Sequence, residues 1–406
     1  MPDNAHARAV PDSADARADA PVIVSSDPAS FAHGVFAERH PALIARVRSA
    51  QPYGPEQHRA LDALLKSGTE GVMEPLRDDA PDREQWAAWD RGRLGRSWYD
   101  APFLWAESYF YRKLLEAVGY FEPGGAWQGI DPFRPFKLAE LRTPEAESEL
   151  AALDRLALRP EAEQARALLH GSLWGNRADL GFRMVAGGEG AADGAEFPMV
   201  ADDSEVLWSL LPAGGPNKVC LVADNAGREL VPDLLLVDHL LRHEYAEQVV
   251  LHVKPSPYYV SDATTADVVD CLRHLKQAEG TAAAVGERLW ADMASGRLTV
   301  RAHAFSCAPL PYAEMPDDLR QDFAAATLTI MKGDLNYRRL VGDRLWPPTS
   351  PFTARTAYFP GPVAALRTLK SDVIVGLDAS AVAALVARHG NRWRTSGTHA
   401  LIQARR

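Results

Sequence analysis

The chain has few cysteines and no long apolar segment. It carries three cysteines, Cys220, Cys271 and Cys307, and none belongs to a Cys-x-x-Cys pair. This spacing excludes a disulfide framework and a zinc knuckle, and it favours a reducing, cytoplasmic location. No apolar run approaches the roughly 18 residues that a membrane span needs, so we expect no membrane partner.

The sequence also lacks an excess of positive charge and two common catalytic motifs. Its net charge is −10, which argues against nucleic acid as the main partner, because binding a phosphate backbone needs a basic surface. Neither a P-loop nor a Gly-x-Ser-x-Gly elbow is present. A small phosphorylated ligand, held by a few local cations, is compatible with this composition. The oligomeric state is left open.

The pattern of apolar residues divides the chain into three parts. Residues 1–28 lack an apolar signal core and are typical of a disordered tail. Apolar residues three and four apart predict a helical region over residues 29–200. In residues 201–406 strands alternate with helices, which indicates an α/β fold with a mostly parallel, doubly wound sheet. The predicted strands are 218–223, 249–253, 298–304, 326–331 and 373–377.

Oxygen-bearing side chains stand where two of these strands end. Asp224 and Asn225 follow the first strand, and Asp262 follows the second. Ligands of open α/β sheets lie at this carboxyl edge, and an Asp/Asn/Asp set suits Mg²⁺ or Mn²⁺. Helix capping is the alternative, because Asp and Asn are also preferred where a helix begins. The pattern alone weighs the two interpretations about equally.

A glycine flanked by cations follows a third strand. Gly333 would let backbone N–H groups approach an anion, with Lys332 and Arg338 on either side and Asn336 as a further donor. The segment Arg367-Thr-Leu-Lys370 adds two cations just before the predicted strand at 373. A surface turn before a helix is the alternative. Together with the first set, these residues predict a metal ion facing a phosphate.

These segments together resemble the metal-dependent damage-control phosphatases, formerly a domain of unknown function. Within that family they are similar to the acidic-residue (protein-glutamate) methyltransferase-like branch, which the Arg-Thr-x-Lys element marks. Four segments occur in the family's order and carry the resemblance: Asp224-Asn-Ala-Gly-Arg-Glu229, Ser261-Asp-Ala-Thr-Thr265, Lys332-Gly-Asp-Leu-Asn-Tyr-Arg338 and Arg367-Thr-Leu-Lys370.

The resemblance implies a fold, a cofactor and a substrate. The fold is an N-terminal helical region packed on a Rossmann-like α/β/α sandwich. The cofactor is a divalent metal, Mn²⁺ or Mg²⁺ with Co²⁺ or Ni²⁺ as further candidates, held by Asp224, Asn225 and Asp262. The substrate is a small phosphorylated metabolite, in similar proteins fructose 1-phosphate or fructose 6-phosphate. The residues that would border it are Glu229, Gly333, Asp334, Asn336, Tyr337 and Lys370.

We expect phosphate ester hydrolysis with Asp224, Asp262 and Asp334 as the catalytic carboxylates. The first two would hold the metal that orients a water, and Asp334 would position the water, a substrate hydroxyl or Lys332. A phosphoaspartate at Asp224 is less favoured, because Ala226 stands where haloacid-dehalogenase-type phosphatases carry an acid/base Asp. Two alternatives stay open: S-adenosylmethionine-dependent methylation of protein glutamates, and a non-catalytic protein that binds metal and sugar phosphate.

Overall fold

The computed structural model describes residues 20–175 and 198–406. Residues 1–19 of the predicted tail and residues 176–197 of the predicted helical region lie outside the described residues. Within the tail prediction, Val22 forms a backbone bridge with Arg344, and Val24 forms one with Pro102. Ala20 is buried. Residues 20–25 of the predicted tail therefore contact the rest of the folded protein.

The helical region is built around one aromatic helix, α5. Large apolar side chains occur on every face of this helix and most of its residues are buried, so it needs neighbours on all sides. Trp105 and Tyr109 stack within it at a centroid distance of 4.9 Å. No helix in the described part of the chain is both long and apolar enough to cross a membrane. The helices of this region are α1 (Phe31–Gly34), α2 (His40–Ala50), α3 (Pro55–Glu70), α4 (Arg83–Asp90), α5 (Phe103–Ala117), α6 (Arg134–Glu140), α7 (Pro144–Leu156) and α8 (Glu161–Trp174).

The sheet of the described residues has seven strands in the order β1-β7-β6-β5-β2-β3-β4. All neighbouring strands are parallel except β6 and β7. This confirms the predicted α/β fold with a mostly parallel sheet. The strands are β1 (Met199–Asp202), β2 (Lys218–Val222), β3 (Gln248–Val253), β4 (Leu298–Ala302), β5 (Leu328–Lys332), β6 (Val363–Thr368) and β7 (Ala400–Arg405).

Helices cover both faces of this sheet. In β2, Val219 and Leu221 contribute to one hydrophobic core and Cys220 and Val222 to the other, because successive strand residues point to opposite faces. The first core includes α9 (Ser204–Ser209), α10 (Leu230–Arg242), α11 (Thr265–Gln277) and α12 (Gly280–Ser295). The second includes α13 (Asp317–Ala324), α14 (Gly333–Val341), α15 (Phe352–Arg355) and α16 (Ala379–His389).

The strand prediction was incomplete. It missed β1, β6 and β7, and the predicted strand 373–377 is not part of the sheet. The N–H of Val375 donates to the Tyr337 hydroxyl at 3.2 Å, and the N–H of Gly376 donates to the Ser350 carbonyl at 2.7 Å. This run is apolar because it is buried among other elements, which satisfy its backbone without a neighbouring strand.

The helical region packs on the carboxyl edge of the sheet. Tyr258, in the loop after β3, belongs to the aromatic core of the helical region, as does Leu335 of α14. Arg338 of α14 pairs with Glu107 of α5 at 3.4 Å. The edge at which the site was predicted therefore lies between the two regions.

Candidate active site

The structure brings the three predicted metal ligands together at the ends of β2 and β3. Asn225 and Asp262 form an antiparallel backbone bridge, which fixes the two segments side by side. The Asn225 amide nitrogen donates to Glu229 Oε2 at 2.9 Å and lies 3.3 Å from Asp224 Oδ2. Three carboxylates and one amide therefore gather at this corner of the sheet.

The loop that carries Asp262 has an unusual backbone. Tyr259 and Val260 have φ angles of 45° and 63°, values that non-glycine residues and β-branched residues above all rarely adopt. The Tyr258 hydroxyl donates to Ser108 Oγ at 2.6 Å, and that same Oγ lies 3.3 Å from the Tyr259 hydroxyl. Because Ser108 belongs to α5, the helical region holds this loop and positions a candidate metal ligand.

Two glycines make room for the carboxylates of the site. Gly333 has a φ of 82°, and a Cβ there would lie 1.9 Å from Asp224 Oδ2. Gly175 has a φ of 54°, and its Cβ would lie 2.4 Å from the Glu229 Cγ. Both positions therefore need glycine for its backbone conformation and for space. The sequence pattern had suggested only that Gly333 leaves backbone N–H groups open to an anion.

Asp334 is held by the segment that contains Lys370. Arg367, fully buried at the end of β6, donates to Asp334 Oδ1 from Nε at 2.8 Å and pairs with it through Nη2 at 2.7 Å. The same oxygen accepts from Ser371 Oγ at 3.1 Å and from the Lys370 backbone N–H at 3.3 Å. Asp334 therefore fixes residues 367–371, while the Lys370 side chain is exposed.

Asn336 and Tyr337 face the interior of the protein. The Asn336 amide nitrogen donates to the carbonyls of Ala223 at 3.0 Å and Lys332 at 2.8 Å, which ties the ends of β2 and β5 together. The Tyr337 hydroxyl donates to Gln403 Oε1 at 2.9 Å, and both Asn336 and Tyr337 are fully buried. The structure places these two predicted substrate-binding residues where they support the backbone of the site.

The carboxylates on the metal side of the site are poorly neutralised. Burial raises the pKa of Asp224 well above its usual value, and the nearby charges of Glu229 and Asp262 raise it further. Burial also raises the pKa of Asp262 to about 6, although Lys254 acts in the opposite direction. Excess negative charge in a buried place is the condition that a bound cation relieves.

The carboxylate on the other side is well neutralised. Burial acts on Asp334 in the same direction, but the charges of Arg367 and Arg338 and the hydrogen bonds from Arg367 and Ser371 outweigh it. The pKa of Asp334 is therefore below its usual value. This half of the site is complete within the protein.

Comparison with known proteins identifies the family of this chain. The damage-control phosphatase ARMT1-like domain matches residues 35–386. The chain belongs to this family. It is 30% identical to the mouse damage-control phosphatase ARMT1, covering 95% of this chain and 99% of that protein, and 28% identical to the human one, covering 93% and 96%. The crystal structure of a DUF89 family protein from Pyrococcus horikoshii is similar with a TM-score of 0.46 and 14% identity, over 82% of this chain and 90% of that one.

The donors of this candidate site fit a divalent cation. Asp262 Oδ2 is buried and accepts no hydrogen bond, so one hard oxygen is left without such a partner. Asp224 supplies a second carboxylate with excess charge. No three His, Cys, Asp or Glu side chains form a metal cluster within residues 20–175 and 198–406. The third predicted ligand is the amide oxygen of Asn225, which accepts from Ser261 Oγ at 2.6 Å, and an Asp/Asn/Asp set of oxygens is of the kind that suits Mg²⁺ or Mn²⁺.

Sequence reasoning missed two buried lysines that contact Asp262 in this candidate site. Lys254 is only 2% exposed, and its Nζ lies 3.4 Å from Asp262 Oδ2. Lys137 of α6 donates from Nζ to the Asp262 carbonyl at 2.9 Å. A lysine directly after the apolar run of β3 was a usable signal for Lys254. Nothing in the sequence near Asp262 points to Lys137, which is 125 residues away in the chain.

Proposed function

We propose that this protein is a divalent-metal-dependent phosphatase of small phosphorylated metabolites, with fructose 1-phosphate and fructose 6-phosphate as the first candidates. The convergence of Asp224, Asn225 and Asp262 beside Gly333 is the observation that carries the proposal. The mouse and human relatives are named damage-control phosphatases, which supports the reaction type.

Asp224, Asn225 and Asp262 would hold the metal, Mn²⁺ or Mg²⁺ with Co²⁺ or Ni²⁺ as further candidates. When bound, such a cation polarises a phosphoryl oxygen and activates a water for attack. The bridge between Asn225 and Asp262 presets the distance between two of the ligands. Glu229 accepts a hydrogen bond from the Asn225 amide nitrogen and so fixes which end of the amide is the nitrogen and which is the oxygen.

The rest of the site would bind the phosphate. The positive charge of Lys370 acts to lower the pKa of Asp224, against the larger effect of burial. This ammonium is therefore within electrostatic range of Asp224. Uncatalysed phosphate ester hydrolysis is very slow, and stabilising the charge on the equatorial oxygens is the main task of such a site. Lys370 and the N–H groups that begin α14 at Gly333 would do this.

Asp334 would act by positioning Lys370. Four donors from Arg367, Lys370 and Ser371 already meet at its Oδ1, so this oxygen has little capacity left for a water. Its contact with the Lys370 backbone places that residue relative to Gly333, the neighbour of Asp334 in the chain. This role replaces the contact with Lys332, which pairs with Asp233 at 2.8 Å.

The decisive test is metal-dependent phosphate release from a panel of sugar phosphates. The wild type should release phosphate with Mn²⁺ or Mg²⁺ and stop when EDTA is added. Asp224→Ala and Asp262→Ala should give background rates with an unchanged circular dichroism spectrum. Near-normal turnover in either variant would contradict the assignment. Calorimetric titration with S-adenosylmethionine should give no specific heat, and saturable binding would favour the methyltransferase alternative.

A further inference from the structure

Lys254 stands apart among the buried lysines of the protein. The described residues contain three of them, Lys137, Lys254 and Lys332. Lys137 pairs with Asp131 and Asp267, and Lys332 pairs with Asp233, so neither has a metal ligand as its acidic partner. Lys254 pairs with Asp262. Burying an ammonium group is costly unless its charge is paired, and the Lys254 ammonium is paired with a candidate metal ligand.

The backbone on both sides of Lys254 is fixed. It follows β3 directly, its N–H donates to the Ala263 carbonyl at 2.8 Å, and it forms a parallel bridge with Thr264. These contacts lie in the segment that contains Asp262 itself. The ammonium is therefore held at a set position relative to that carboxylate.

The contact between the two side chains is an ion pair that leaves the oxygen available. The Lys254 Nζ lies 3.4 Å from Asp262 Oδ2, whereas charge-assisted hydrogen bonds are about 2.7–2.9 Å long. Lys254 can therefore offset the charge of Asp262 while the carboxylate remains free to bind a cation. This differs from Asp334, whose Oδ1 is surrounded by donors.

The charges around Asp224 show why a lysine is needed there. The groups that act on it most strongly are the carboxylates Glu229 and Asp262 and the ammonium groups Lys370 and Lys254. Counted with Asp224, three negative charges face two positive ones, and a divalent cation reverses the sign. Without Lys254 the loaded site would be neutral and would attract a phosphate dianion poorly.

We propose that Lys254 sets the charge of the metal site, weakening its hold on the divalent cation and strengthening its hold on the phosphate dianion. This rests on the proposed function, and it names Lys254 as a positioning residue that acts through Asp262. Its two effects have opposite signs. A residue that only supports the fold would change both affinities in the same direction.

The test compares Lys254→Met with the wild type in two titrations. Isothermal calorimetry of the metal-free proteins with Mn²⁺ should show tighter binding to Lys254→Met, by about tenfold. Titration of the Mn²⁺-loaded proteins with inorganic phosphate should show weaker binding, again by about tenfold. Lys254→Arg keeps the charge and should remain close to the wild type in both titrations.

Lys113→Met serves as the control, because it removes a largely buried ammonium of α5 that is paired with Glu116 and contacts none of the candidate metal ligands. It should not tighten Mn²⁺ binding. If Lys254→Met weakens both affinities, changes neither, or binds phosphate more tightly, the proposal is wrong. It is equally wrong if the wild type binds no Mn²⁺. Failure of the wild type to hydrolyse sugar phosphates would overturn the proposed function alone, because neither titration depends on turnover.

Discussion

Two aspartates of the candidate site, the buried Asp224 and the partly buried Asp334, have opposite electrostatics. Asp224 follows β2, and burial with two neighbouring carboxylates raises its pKa well above the usual value. Asp334 is the second residue of α14, and two arginines bring its pKa below the usual value despite burial. The same type of side chain at the same sheet edge thus lies among excess negative charge in one place and is neutralised in the other.

The difference indicates which carboxylate is neutralised within the protein and which keeps excess negative charge. Arg367 is always charged and sits within hydrogen-bond distance of Asp334, so that carboxylate has its counter-charge. The Asp224 half keeps a net negative charge that a divalent cation would balance. Changing each aspartate to asparagine removes the charge and keeps the shape, so the two substitutions should separate these roles.

Asp224→Asn should have the largest effect, a loss of turnover of at least about a thousandfold. The same change should stabilise the metal-free protein by about 1–2 kcal/mol at pH 8, because it removes an unfavourable buried charge. The sign follows from the raised pKa: this group opposes folding most where it is ionised, so the gain should shrink as pH falls. Urea denaturation at pH 8 and pH 5, with EDTA present, measures it. A destabilised variant at pH 8 would show that Asp224 is neutralised within the protein.

Asp334→Asn should act in the opposite direction and lower the free energy of unfolding by about 3–5 kcal/mol. The cause is Arg367, which would remain buried with its charge unpaired. Asp62→Asn is the control, because Asp62 is 62% exposed in its pair with Arg48, and such surface pairs contribute less than about 1 kcal/mol. Equal effects of the two changes in urea denaturation would remove the contrast between the halves.

Gly333→Ala should displace Asp224 from the backbone that carries Gly333 and Asp334. The added Cβ would overlap Asp224 Oδ2, and alanine is strained at a φ of 82°. We expect a loss of about 2–3 kcal/mol in stability and a fall in turnover of about a hundredfold as Asp224 is displaced. Gly296→Ala is a matched control, since Gly296 has a φ of 83° but open space around it. If both variants lose the same stability and keep their turnover, the contact with Asp224 is unimportant.

The convergence of Asp224, Asn225 and Asp262 was largely predictable from the sequence. Apolar runs ending in Asp224, Asn225 and Asp262 indicated strand ends, and parallel strands bring such ends to one edge. Their shortage of neutralising charge was not predictable, because it depends on burial and on residues far apart in the chain. Lys137, for example, is 125 residues from Asp262.

The structure around Gly333 and Arg367 was predicted less well because its sequence pattern was ambiguous. β6 is rich in alanine and so gives a weak strand signal, whereas the buried run 373–377 gives a strong one without being a strand. The sequence therefore predicted that Arg367 precedes a strand at 373–377, whereas in the structure Arg367 lies near the end of β6. Asn336 and Tyr337 were predicted to border the substrate. Their hydrogen-bond partners are instead Ala223, which directly follows β2, and Gln403 of β7.

Glu107 should show the smallest effect, and that effect should vary with pH. It is a buried carboxylate with one arginine, Arg338, at 3.4 Å. Burial raises its pKa to about 7 despite Arg338, so it lies between Asp224 and Asp334 in neutralisation. An acid with a raised pKa binds its proton more tightly in the folded state, so its contribution to stability is present at low pH and is lost as pH rises through 7. We expect the wild type to lose about 2 kcal/mol relative to Glu107→Gln between pH 5 and pH 8.

Urea denaturation of both proteins at pH 5, 6, 7 and 8 measures that difference, and comparing the two cancels the contributions of Asp224 and Asp262. Asp343, which also pairs with Arg338 at 2.7 Å, is unchanged in both proteins, so the arginine keeps a partner. A difference that does not vary with pH would mean that Glu107 stays ionised when folded. Arg338 at this distance would then suffice to neutralise the buried Glu107. In that case the excess negative charge at Asp224 would follow more from the crowding of Asp224, Glu229 and Asp262 than from their burial.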